Sequence, residues 1–114
     1  MNSLNSSVVV IDNVAVIGLQ RDDLEIANCG FLVSKRIKEE SISKTAINIE
    51  SFEYITSENV YALQKLIDVL EISGISVCVC GFDAVSASII FTFVDDIYFS
   101  TALDVRNAIL ELNS

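Results

Sequence analysis

Hydrophobic positions along the chain switch between two periods, and the switching predicts the elements. Val8 to Ile11 and Val14 to Leu19 are short apolar runs rich in β-branched residues. Asp12-Asn13 separates them with two residue types that tolerate left-handed backbone, so the pair predicts an opening β-hairpin. From Arg21 to Glu40 the period lengthens. Asp22 is placed to cap a helix, Asp23 and Glu25 fall in its first turn, and Lys35, Arg36 and Lys38 fall in its last, a charge order that suits a helix dipole. Leu24, Ala27 and Phe31, with Ile26, Val33 and Ile37, supply its predicted buried side.

Thr45 to Ile49 reads as a third strand, and a helix is predicted to begin at Thr56-Ser57. Its apolar stripe is Val60, Leu63, Leu66, Ile67 and Leu70, and Ser73-Gly74 stops it, Gly being suited to the left-handed position after a helix. Strand Ser76 to Cys80 follows, then Asp83 as cap of a third helix with Val85, Ile89 and Phe93 inward. Ile97 to Phe99 reads as a last short strand, and Asp104 to Leu112 as a closing helix with Val105, Ala108, Ile109 and Leu112 inward. The predicted order, β-β-α-β-α-β-α-β-α, is that of an α/β domain with a mixed sheet: an antiparallel hairpin, then alternating helices and mostly parallel strands. With no Pro and four Gly in 114 residues there is no linker composition, so residues 1–114 are expected to form one domain.

Hydropathy sharpens this. The chain is 52% hydrophobic with a mean hydropathy of +0.54, high for an isolated domain. Its longest apolar runs, including Val77 to Phe82, are far below the ~20 residues of a membrane span. The start of the chain has no basic region before the apolar run, and Asp12 interrupts that run, so no signal peptide is expected and the cytoplasm is the expected compartment. The apolar excess is expected in a sheet covered on both faces or in an interface between subunits.

Charge and residue types narrow the chemistry. Seven Lys+Arg against sixteen Asp+Glu give a net charge of −9, which leaves no basic footprint for nucleic acid or an anionic membrane. The absence of His removes His-based triads, dyads and zinc sites. No Gly-rich phosphate loop is present, and the adjacent acids Asp22-Asp23 and Asp95-Asp96 sit at predicted element ends, where carboxylates cap and solvate. Neither a catalytic residue nor a cofactor or metal site is expected. The three cysteines, Cys29, Cys78 and Cys80, make no disulfide framework. Cys78 and Cys80, two apart on a strand, share a face and read as core; the competing reading is a small thiol oxidoreductase that uses this pair.

The remaining informative stretch is Ile55-Thr56-Ser57-Glu58-Asn59. A hydroxyl at a strand-to-helix junction either caps the helix or accepts a phosphate, which the unpaired N–H groups and partial positive charge of a helix start would favour. Glu50, Glu53 and Glu58 make the surroundings acidic, so a phosphate there would disturb any docked partner.

The order and spacing of three segments resemble the STAS domains of anti-sigma-factor antagonists, and among them the small stressosome scaffold proteins. These segments are Asp12 to Gln20, Ile47 to Ser57, and Gly74 to Phe82 together with Ser100 to Val105. The resemblance implies a STAS-like mixed sheet and a non-enzymatic switch. It places the phosphoacceptor at Ser57, with Thr56 as the alternative, and a partner-binding rim at Glu50, Glu53, Thr56, Glu58 and Asn59. The partners it implies are a serine/threonine switch kinase of the anti-sigma-factor type, a cognate phosphatase and paralogous STAS scaffold proteins in a homo- or hetero-oligomer. Thr56 stands where the family usually carries Asp, Asn48 where many members carry Asp, and Glu50 where some carry a second phosphorylatable residue. A phosphorylation-independent scaffold, or a relative of transporter STAS domains, is the alternative within the same fold.

Overall fold

The computed structural model describes residues 7–52, 54–92 and 99–114. The opening hairpin forms as predicted: β1 (Ser7–Ile11) and β2 (Val14–Gly18) pair antiparallel, with Ile11 opposite Val14. Asp12 and Asn13 both take positive φ, 49° and 65°, the backbone of a tight turn whose twist matches that of the strands. β3 (Lys44–Asn48), β4 (Ser76–Cys80) and β5 (Ser100–Thr101) then add in parallel, giving a five-stranded sheet in the order β1-β2-β3-β4-β5.

Strand alternation sorts the apolar residues into two layers. Ala15, Ile17, Ile47, Val77 and Val79 enter one core with the inner faces of α1 (Cys29–Glu39) and α2 (Ser57–Ile72) and with Ile90 of α3 (Ala84–Thr92). Val14, Ala46, Cys78 and Cys80 enter the other, under Ala108 and Ile109 of α4 (Val105–Leu112), with Val105 and Leu112 half-buried against it. All five predicted stripe residues of α2 are buried. Gly74 ends that helix region with φ +88°, as the stop signal requires. α1 and α2 approach closely at Gly30, where an added Cβ would lie 2.8 Å from Val69 Cβ.

The predicted helix over 21–40 is instead two pieces. A 3-10 turn spans Arg21–Glu25, and Asn28 at φ 64° separates it from α1. Asp22 is not the cap. The backbone N–H of Gln20 donates to Asp23 Oδ2 at 3.1 Å, and Asp23, not Asp22, is buried. The break resets the helical phase: Phe31 is 63% exposed and Ala27 is exposed, while Cys29, Val33, Ser34 and Ile37 turn inward. The stripe of α3 is likewise displaced by one residue, with Val85 68% exposed and Ser86 and Ile90 buried. Phe93, Asp95, Asp96, Ile97 and Tyr98 lie outside the described residues, and Phe99 precedes β5 rather than belonging to a strand.

Candidate functional site

Parallel strands put their C-terminal ends, and the helix starts that follow them, at one end of the sheet. Here that end is tied across by backbone bonds: Leu19 N–H to Asn48 O at 3.0 Å, Ile49 N–H to Cys80 O at 2.9 Å, and Gly81 N–H to Leu103 O at 3.2 Å. Asn48 turns the chain after β3, its Oδ1 accepting the Glu50 N–H at 3.0 Å. Gly81, at φ +83°, leaves the space that this side chain fills, since a Cβ there would collide with Asn48 Oδ1. The segment from Ile49 to Ile55 is then anchored by Ile49, Phe52 and Ile55, all in the main core, and by Ser51 Oγ, which donates to Leu19 O at 2.7 Å.

This anchoring presents the start of α2 as a fixed rim. Thr56 is its N-cap in extended conformation, and Thr56 Oγ1 accepts the Asn59 N–H at 3.1 Å. Asn59 Oδ1 accepts the Thr56 N–H at 3.1 Å in return. The two side chains satisfy each other's backbone. Ser57, one residue on, is the first helical residue; it is exposed, and its Oγ has no hydrogen-bond partner among the described residues. Of the predicted rim, Glu50 and Glu58 are exposed, Thr56 and Asn59 are committed to the cap, and Glu53 lies outside the described residues.

The end of the sheet is acidic. Asp22, Glu50, Glu58, Asp83 and Asp104 are all exposed on it. Asp104 Oδ1 caps α4 by accepting the Asn107 N–H at 2.9 Å, and Asp83 Oδ1 caps α3 by accepting the Ser86 N–H at 2.8 Å. That backbone bond, with help from the Ser86 hydroxyl, holds the Asp83 carboxyl below the usual carboxylate range. One cation meets this acidity in a way sequence reasoning missed: the Arg21 guanidinium stacks over the Tyr54 ring, 4.3 Å from its centroid. The only available signal was an aromatic residue in a short polar loop facing the start of the next segment. A groove of about 510 Å³ opens beside the rim, between the 3-10 turn and α2. Leu24, Ile26, Tyr61 and Val69 line it, with Glu58 and Lys65.

Cys78 and Cys80 do not reach this rim or any solvent. Both are 0% exposed, and burial pushes their thiols up to about 11 and about 12, Cys80 also feeling Cys78, Asp104 and Glu50. Thiols that stay protonated and covered are poor nucleophiles, which removes the footing of the oxidoreductase reading. Among the described residues no cluster of Cys, Asp and Glu is arranged to hold a metal ion, and no helix is long and apolar enough to cross a membrane.

No protein-family model matches the sequence, and no curated protein matches it. Solved structures do match in three dimensions. A serine-to-glutamate variant of Moorella thermoacetica RsbS superposes with a TM-score of 0.71 at 13% identity, over 96% of this chain and 95% of that one. A chain from the molecular architecture of the stressosome, described as a signal integration and transduction hub, superposes with a TM-score of 0.68 at 15% identity, over 94% of this chain and 96% of that one. What is shared at such identity is the fold, a mixed α/β sheet-and-helix arrangement of the STAS type.

Proposed function

We propose that this chain, which has the STAS fold of RsbS, is a non-enzymatic scaffold of the stressosome type, forming one STAS unit over residues 1–114 and working in the cytoplasm. Its hold on a serine/threonine switch kinase is set by phosphorylation of Ser57 and reset by a cognate phosphatase. The observation that carries this reading is the division of labour at the start of α2. The Thr56 hydroxyl is occupied by the cap, whereas the adjacent Ser57 hydroxyl is exposed and uncommitted among the described residues. A helix start supplies N–H groups that offset part of a phosphate's charge, and five buried residues fix α2 to the core behind it. A phosphate adds about −1.5 to −2 charges at pH 7 to a rim that already carries Glu50 and Glu58. A docked surface would then meet new repulsion and desolvation with little change in the fold itself. The three buried free cysteines suit a reducing compartment. The likeness to a stressosome chain supports assembly with paralogous STAS proteins.

The test is incubation with a switch kinase of the anti-sigma-factor type and ATP, followed by phosphopeptide mapping. Phosphate on Ser57 is the expected result. Phosphate on Thr56 alone would keep the switch and move its residue. Phosphate on neither, with Ser57→Asp binding the kinase as wild type does, would reduce the role to a phosphorylation-independent scaffold.

A further inference from the structure

We infer that the outer edge of β1 docks the β1 of a second copy of this chain, the two strands pairing antiparallel about Val9. β1 ends the sheet, and among the described residues no strand lies beyond it. The hairpin determines which of its backbone groups are free. In a two-residue turn the flanking pair, Ile11 and Val14, exchanges both ladder bonds, so Ser7, Val9 and Ile11 point their N–H and C=O groups at β2. Val8 and Val10 therefore point theirs away from the sheet. A free row of this kind is a template for another strand, and protein edges are usually blunted by Lys, Pro, a bulge or brevity. β1 has none of these: Ser7-Val8-Val9-Val10-Ile11 is five residues of unbroken register without a charge. The opposite edge, β5, is only two residues long.

Side chains and charge point to a second copy as the occupant. Val9, Val10 and Ile11 are 55%, 43% and 41% exposed, so both faces of the strand are apolar and open. Val9 and Ile11 share the α4 side of the sheet with half-buried Val16, in an area α4 leaves uncovered because it packs mainly on β3 and β4. At a net charge of −9 two copies repel one another over most of their surface. The β1 edge carries none of that charge, and the complementary row of donors and acceptors it needs is the same row turned around. Pairing about a two-fold axis through Val9 lets Val8 and Val10 of each copy exchange both bonds with Val10 and Val8 of the other. Val9 then faces Val9 of the second copy as a pair not joined by ladder bonds, with Cα atoms about 4.5 Å apart. Ser7 faces Ile11 of the second copy. A five-residue edge buries well under the roughly 800 Å² per partner of a stable interface, so the isolated dimer forms only at high concentration and gains strength where many copies assemble.

This inference deepens the scaffold reading and rests on it only for the use made of the contact. Val9→Cys in the full chain, under mild oxidation, should give a covalent dimer, because a Cα separation near 4.5 Å suits a disulfide and all three native cysteines are buried. Ile11→Cys, which would face Ser7, should give none. In sedimentation over a concentration series Val9→Lys and Val9→Glu should each dissociate at least about tenfold more readily than wild type, and a one-to-one mixture should restore the dimer. Their thermal melts should match wild type, Val9 being more than half exposed. Absence of cross-linking in Val9→Cys, together with Val9→Lys that dimerises as wild type does, would overturn the inference. A wild-type chain that stays monomeric throughout yet co-assembles with a paralogous STAS protein would overturn the edge and keep the scaffold. An intact edge dimer that joins no such assembly would keep the edge and overturn the scaffold.

Discussion

The two faces of the sheet are built to different standards. One is covered by α1, α2 and α3 and holds a cluster of twenty buried residues among those described, mostly Ile, Leu and Val. The other, among the described elements, lies under α4 alone and holds six, of which Ala46, Cys78, Cys80 and Ala108 are small. Since hydrophobic stabilisation scales with the apolar area removed from water, the first face carries most of the fold energy. The second is thin enough that a single eight-residue helix closes it, and it leaves part of β1 and β2 open. The helix bearing Ser57 belongs to the heavily packed face, whereas Val9 and Ile11 of the open edge lie on the lightly packed one. On the proposed reading, a signal placed on α2 acts on a rigid support, and contacts between copies use the part of the sheet that the described chain does not cover.

Truncation should expose that inequality most directly. Leu63→Ala or Ile67→Ala, both 0% exposed in the α2 stripe, should cost about 2–5 kcal/mol in urea unfolding. A loss below about 1 kcal/mol at either position would contradict the assignment of stability to this face. Cys78→Ala with Cys80→Ala, on the thin face, should cost about one to a few kcal/mol together and leave kinase and paralogue binding intact once folded.

Alkaline pH gives a second way to address the thin face. Cys78 and Cys80 keep their protons up to about 11 and about 12, from an ordinary 9.0. Unfolded thiols release theirs near the ordinary value, so the native state binds more protons in this window. Stability is then complete below pH 9 and falls as pH rises through it toward about 11. The double alanine variant should lose stability over that window with a shallower slope, read from unfolding midpoints against pH. Equal slopes would detach the thiols from the effect.

At the rim the effects are smaller and separable. Thr56→Ala should cost about 1 kcal/mol through the lost cap, with Ser57 still accepting phosphate. Ser57→Ala should leave the melting temperature near wild type and abolish phosphorylation. Ser57→Asp should change stability by less than about 1 kcal/mol, since a negative charge at a helix start is mildly favourable, yet lose most kinase affinity in a titration. A large loss of stability in Ser57→Asp with unchanged kinase binding would reverse the proposed separation of fold from switch.

Particular residues show how far the sequence reaches. Asp12-Asn13 announced the hairpin and Gly74 the end of α2, because few residue types adopt positive φ readily. Ser76 to Cys80 was legible to the residue because a short run of Val and Cys after Ser76, bounded by Gly74 and Gly81, has few alternatives. The junction at Thr56-Ser57 was legible as a place where hydroxyls matter. Which hydroxyl caps and which stays free was not, because that choice depends on Asn59 folding back onto Thr56. The long helix over 21–40 failed at Asn28, where one left-handed residue divides the segment and turns Phe31 outward. The stripe of α3 was placed one residue off, with Val85 outward and Ser86 and Ile90 inward, because Ala84 to Ile90 sets apolar residues around most of the helix with only small serines between them, which leaves the period little contrast.

The sequence by itself determined the order of elements, the turn and stop positions, the acidity and the lack of His-based chemistry, all of which follow from local backbone preference or from counting charges. Only the tertiary structure decided the strand order, the two-residue extent of β5, the pairing of Arg21 with Tyr54 and the openness of β1. The reason is physical: each of these depends on contacts between residues far apart in the chain, and an apolar residue carries the same local signal whether it meets a helix or is left facing water.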